Sequence, residues 1–130
     1  MQIHQSAEDY LETILMLTQR MGRVRSIDVV NELGYTKASV SIAMKKLREN
    51  GYIAVDGEGN LTLLEPGREI AERIYSRHRL LTHFFVQLGV DEEVAAEDAC
   101  KAEHILSEET LAKIREQALL HDAEESAKNG

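Results

Sequence analysis

Apolar positions recur at helical spacing near the start of the chain. Leu11, Ile14 and Leu15, with Thr18, fall on one face behind Ser6-Ala-Glu-Asp9, which has the form of a capping box, and Met21-Gly22 closes the run. Ser26–Leu33 predicts a second, short helix with Ser26 as its N-cap and Gly34 as a left-handed stop. Thr36 is placed to cap a third helix reaching about Asn50, with Val40, Ala43, Met44 and Leu47 as its buried stripe and Gly51 beyond it. The period then becomes extended. Tyr52–Val55 and Leu61–Leu64 flank Asp56-Gly-Glu-Gly-Asn60, which reads as a hairpin with a glycine-containing loop. Pro66 suits the first turn of a long helix ending near Leu88 at Gly89. Asp91 opens a helix to about Leu106 and Ser107 another to about Leu120, and the polar stretch Glu124–Gly130 is predicted to fray.

Helix, short helix, tight turn, helix, hairpin is the order of a winged helix-turn-helix, so the predicted class is mainly α, with a helical second part. The third helix would present Lys37, Ser39, Ser41, Lys45 and Lys46 outward. Short hydroxyls and lysines near a helix N-terminus can reach base edges and phosphates together, and Arg23 and Arg25 lie just before the second helix. Arg25, Ser26 and Thr36 complete the candidate DNA-binding set. The plainer reading of such a face is an ordinary solvated surface, and a winged helix can also bind protein.

Composition narrows the classes. The chain has 130 residues, 43% hydrophobic and 29% charged, enough apolar content for a core; with 5% aromatic and no Trp, that core must be aliphatic. No apolar run approaches the roughly 20 residues of a membrane span, and no basic-then-apolar leader opens the chain. A single Cys allows no intrachain disulfide, and the expected location is the cytoplasm. The net charge of −8 is unevenly spread: residues 91–130 hold 12 acidic and 4 basic side chains. Residues 20–50 carry seven basic groups against three acidic ones. Because attraction between charges is screened beyond roughly 10 Å, the local excess outweighs the global sign, and the acidic segment should face away from DNA.

The second half carries different chemistry. Cys100, Glu103 and His104 lie at i, i+3 and i+4, one face of a continuous helix, and together are a mixed N/O/S ligand set. Asp9 and Glu12 form a second pair one turn apart, also explicable as acidic residues favoured by the helix dipole. By itself His78, in Tyr75-Ser-Arg-His-Arg-Leu80, reads as a packed histidine, and His4, His83 and His121 as surface residues.

From Ser6 to about Leu120 the chain resembles the diphtheria-toxin-repressor/manganese-transport-regulator (DtxR/MntR) family of metal-dependent transcriptional repressors. The segments that carry the resemblance are Glu8-Asp-Tyr-Leu-Glu12, Ser39-Val-Ser41, Leu61-Thr62 with Gly67, Arg77-His-Arg-Leu80, Asp98-Ala-Cys-Lys-Ala-Glu-His104 and Leu106-Ser107. It implies an N-terminal winged helix over residues 1–73, an all-helical metal-binding and dimerisation domain over 74–130, and a metal site between them. The manganese branch would use Asp9, Glu12, His78, Glu103 and His104, with a glutamate where this chain has Cys100. The iron branch has a cysteine there, but a methionine at the place of Asp9. Its ancillary site, which starts from His78, would need ligands near Thr82 and Ala96, and neither residue can serve. The iron branch's third, SH3-like domain is expected to be absent. The sequence thus combines manganese-type carboxylates with an iron-type Cys100.

The resemblance implies a homodimer that binds palindromic double-stranded operator DNA when loaded with Fe²⁺ or Mn²⁺ and controls metal-homeostasis genes. A thiolate tilts the choice toward Fe²⁺, and Zn²⁺, Co²⁺ or Ni²⁺ would substitute in vitro. No organic cofactor and no membrane association are expected. Catalysis is not expected either: the chain has no His-Glu-x-x-His pair, Gly-rich phosphate loop or nucleophile elbow, and no catalytic residue is assigned. A metal-independent winged helix responding to a small organic ligand is the competing reading.

Overall fold

The computed structural model describes residues 5–129. Its elements run α1 (Gln5–Met21), α2 (Ser26–Leu33), α3 (Lys37–Glu49), β1 (Ile53–Val55), β2 (Leu61–Leu63), α4 (Glu65–Gln87), α5 (Glu92–Ala102) and α6 (Glu108–Asn129). They divide into two compact units, Met1–Arg73 and Ile74–Gly130, with the boundary inside α4.

In the first unit α1 packs on α2 and α3 around an aliphatic core of Leu11, Ile14, Leu17, Val29, Val40, Met44 and Leu47. Thr18, placed on the buried stripe by its spacing, is exposed; its hydroxyl donates to the Ile14 carbonyl at 2.7 Å. Ser6 lies inside α1 rather than before it. Ser26 does not cap α2 either. Arg25 does: its backbone is extended, and its N–H donates to the Asp28 carboxylate at 2.8 Å. The cause is long-range. Arg25 forms an antiparallel bridge with Asn60, and the Leu61 N–H donates to the Val24 carbonyl at 2.7 Å, so the hairpin holds this segment extended. Ser26 then becomes the first helical residue.

Gly34 ends α2 at φ 70°, where a Cβ would cost roughly 1–2 kcal/mol, and its N–H returns to the Val30 carbonyl. Thr36 caps α3 as expected, its Oγ1 accepting from the Ser39 N–H at 3.1 Å. Tyr10 and Tyr35 meet edge-to-face with centroids 5.9 Å apart, which pins the α2–α3 turn to α1. β1 and β2 pair antiparallel with Ile53 opposite Leu63 and Val55 opposite Leu61; Ile53, Leu61 and Leu63 are buried.

In the second unit Leu81, Ala99 and Leu111 form the centre of the core, with Leu80, Phe85, Leu106 and Ile114 against it. Asp91 caps α5 as its sequence predicts, accepting from the Glu93 N–H at 3.2 Å. The helix nevertheless stops at Ala102, not near Leu106. The Glu103 carbonyl accepts from Arg77 Nη1 at 3.2 Å, and Ser107, to whose N–H an uninterrupted helix would direct it, caps α6 through the Thr110 N–H. Past Leu120, α6 continues to Asn129, so the expected frayed tail is helical. Ala123, Glu124, Glu125, Ala127 and Lys128 are good or tolerable helix formers, and His121 lies 3.9 Å from Glu125 one turn on. His83 is not a bare surface histidine: its Nε2 is 3.0 Å from Asp122 Oδ1, joining α4 to α6. His4 lies outside the described residues.

Candidate metal centre and nucleic-acid interface

The metal chemistry of the second unit is built around Glu103. Its side chain is 0% exposed, although it follows α5 directly in a turn. One oxygen, Oε2, lies 3.0 Å from His78 Nδ1 on α4; the other, Oε1, lies 3.4 Å from His104 Nε2 and makes no hydrogen bond. The His104 side chain is only 1% exposed. A carboxylate out of water costs several kcal/mol unless paired, and two imidazoles flanking it at this range form a polar cluster that a divalent cation would satisfy. Carboxylate oxygen with imidazole nitrogen is a donor set that suits Mn²⁺ and Fe²⁺, so the residues present fit such an ion.

Arg77 has a role that residue type and spacing do not disclose. Beside its bond to the Glu103 carbonyl, its Nη2 pairs with the Glu108 carboxylate at the start of α6. One guanidinium therefore fixes the turn that carries Glu103 and His104 against α4, which carries His78. Its signal in the sequence was its place beside His78, at the head of a segment that carries the family resemblance.

Cys100, by contrast, lies exposed on α5. Glu103 follows that helix as its C-cap, in right-handed helical backbone with its N–H donating to the Ala99 carbonyl at 2.9 Å, and His104 lies in the turn beyond it. Among the described residues, Cys100 joins no group of three candidate ligand atoms within 4.8 Å of one another.

In the first unit Asp9 and Glu12 project from α1 one turn apart; Asp9 is half-buried and Glu12 is 5% exposed. Beside them the Tyr10 phenol is pushed above its usual range, chiefly by burial and then by Tyr35 and the negative charge of Asp9. Glu8 is 3.7 Å from Arg73.

The candidate DNA-binding residues gather on α2 and α3. Lys37, Ser39, Ser41, Lys45 and Lys46 are exposed along α3. Thr36 and Ser39 are joined to each other, the Thr36 hydroxyl donating to Ser39 Oγ at 2.9 Å while it caps the helix. Arg25 is exposed and Ser26 half-buried at the start of α2. At the hairpin tip Asp56 Oδ1 accepts from the Glu58 and Asn60 N–H groups at 2.9 Å each, and Oδ2 from the Asn60 amide at 3.0 Å. The Asn60 bonds foremost hold its carboxyl below the usual carboxylate value.

Two family models divide the chain. Residues 2–61 match the N-terminal DNA-binding domain of iron-dependent repressors, and residues 64–124 match their metal-binding and dimerisation domain. An HTH-type transcriptional regulator MntR of Bacillus velezensis is 33% identical over 123 residues, covering 95% of this chain and 87% of the relative. The MntR of Bacillus subtilis is 35% identical over 109 residues, 84% of this chain and 77% of the relative. The chain belongs to the iron-dependent repressor (DtxR/MntR) family.

Members of this family are metal-dependent transcriptional repressors rather than enzymes. A manganese-dependent transcriptional repressor solved in complex with manganese is 29% identical, with a TM-score of 0.79 over 86% of this chain and 52% of that one. A structure of ScaR with bound Zn²⁺ is 25% identical, with a TM-score of 0.70 over 88% of this chain and 54% of that one. The chain thus spans about half the length of these solved repressors. The matched domains bring DNA binding, metal binding and dimerisation with them. No helix among the described residues is long and apolar enough to cross a membrane.

Proposed function

We propose that this repressor is switched by Fe²⁺ or Mn²⁺, with residues 1–73 as its DNA-binding domain and 74–130 as its metal-binding and dimerisation domain. Its proposed ligands are Asp9 and Glu12 of α1 with His78, Glu103 and His104, and Cys100 as the soft donor that tilts selection toward Fe²⁺. The observation that carries this reading is the fully buried Glu103 carboxylate, flanked by two imidazoles, with one oxygen lacking a hydrogen bond. A bound divalent cation supplies the positive charge that such carboxylates need when taken together out of water.

Asp9 and Glu12, held in one ligand set with the three residues of the second unit, would fix α1. Because α1 packs on α2 and α3, fixing α1 orients α3. In a two-fold dimer this sets the separation of the two α3 helices, and palindromic half-sites must be met at about 34–36 Å or a multiple of it. Lys37, Ser39, Ser41, Lys45 and Lys46 of α3, with Arg25, Ser26 and Thr36, then meet base edges and phosphates. By linkage, operator DNA tightens metal by the same factor as metal tightens DNA. The proposed setting is the cytoplasm, and the proposed targets are metal-homeostasis genes.

The test is anaerobic titration of reduced protein with Fe²⁺ and Mn²⁺, following binding to a candidate palindromic promoter at fixed salt. Binding that appears with metal and disappears with chelator is expected. Equal binding with and without metal would overturn the reading and put a small organic effector in its place.

A further inference from the structure

Along the outward face of α3 one residue breaks the polar pattern. Ile42 is 59% exposed and, among the described residues, is the large apolar side chain that this helix leaves in solvent. Its neighbours one turn away are Ala38, Ser39, Lys45 and Lys46, with Ser41 beside it, all exposed. The core of the first unit gains nothing from Ile42, and a β-branched residue is a poorer choice for an exposed helical position than Lys, Gln or Ala. Its rim is cationic and hydroxylated, in a segment with seven basic against three acidic groups. That rim suits a polyanion that offers a small apolar group at its centre, and not an apolar protein surface.

Duplex DNA has such a group. In the major groove thymine presents its 5-methyl, the one apolar feature among hydrogen-bonding base edges. We propose that Ile42 reads a thymine 5-methyl group in each operator half-site, while Lys45 and Lys46 hold the flanking phosphates. This deepens the DNA-binding reading above and rests on it. Ile42 is thus a specificity residue: it contributes affinity only where a methyl group meets it, whereas the lysines contribute on any sequence.

The experiment starts from a duplex selected by the Mn²⁺-loaded full chain from a randomised pool. Deoxyuridine then replaces thymidine at one symmetric pair of positions at a time, which deletes the methyl group and leaves base pairing intact. At one such pair the wild type should lose about fourfold in affinity per half-site, the equivalent of one methyl group returned to water. Ile42→Ala should bind the parent duplex weakly by a similar factor and be indifferent to deoxyuridine at that pair. Lys46→Ala should weaken both duplexes equally. Because Ile42 is exposed, the alanine variant should melt as the wild type does. The proposal is overturned if no position responds to methyl removal, or if Ile42→Ala responds as strongly as the wild type. If the pool yields no bound duplex, the DNA-binding reading itself fails and the proposal falls with it.

Discussion

Gly67 allows a quantitative test of how the winged helix is closed. It is the third residue of α4 and is buried, and a Cβ there would stand 2.2 Å from the Tyr52 carbonyl oxygen and 3.0 Å from its carbon. Non-bonded carbon and oxygen settle at roughly 3.3–3.6 Å, so Gly67→Ala demands a shift of about 1 Å. The obstacle is backbone held from both sides. The Tyr52 carbonyl accepts from the Leu64 N–H at 3.0 Å, and the Tyr52 N–H donates to the Leu47 carbonyl at 2.9 Å. Overpacking of this kind costs about 1–3 kcal/mol, and losing the Leu64 bond adds about 1 kcal/mol. The better helix propensity of Ala returns up to about 1 kcal/mol. The net destabilisation is about 1–3 kcal/mol, and a domain of this size loses about 4–8 °C in Tm per kcal/mol. Gly57→Ala is the matched control, since a Cβ at Gly57 meets nothing within 4 Å and needs no left-handed backbone. Urea and thermal unfolding followed by circular dichroism should separate the two variants by several degrees. If Gly67→Ala and Gly57→Ala melt together, the close approach does not constrain the fold and the reasoning is wrong.

Three further outcomes are expected. Mn²⁺ at 100 times its Kd should stabilise the wild type by about 2.7 kcal/mol, and Glu103→Gln should lose most of that gain in a thermal shift assay while remaining folded. An equal metal-induced shift in both proteins would remove Glu103 from the ligand set. Cys100→Glu should move the relative activation of DNA binding from Fe²⁺ toward Mn²⁺, and an unchanged ratio would show that Cys100 does not select the metal. Asp56 titrates below its ordinary 3.8 because the folded hairpin stabilises its charged form, so its contribution is present above 3.8 and is lost as pH falls through the lowered value. In an NMR titration the Glu58 and Asn60 amides should report that midpoint below 3.8, and Asn60→Ala should raise it; a wild-type midpoint at or above 3.8 contradicts the bonding described.

Much of the fold was legible because it is governed by neighbours within a turn. The Thr36 cap, the Gly34 stop, the buried Val40, Met44 and Leu47 stripe, and the Asp91 cap each depend on groups a few residues apart. The outward lysines and serines of α3 followed from the same periodicity. Candidate ligands were legible as residue types: carboxylates, imidazoles and a thiol at suggestive spacings.

What the chain could not disclose locally was settled by groups distant in sequence. Arg25 displaces Ser26 as the α2 cap because Asn60 bridges to it from the hairpin. Arg77 takes the Glu103 carbonyl where α5 stops, four residues before its periodicity runs out. His78 meets Glu103 across 25 positions, and His83 meets Asp122 across 39. Periodicity and caps report the free energy of a single turn, whereas the partner of a buried charge is chosen by packing. The sequence therefore determined the elements, their order and the family; only the tertiary structure decided where α2 begins and α5 stops, and which carboxylate is taken out of water between two imidazoles.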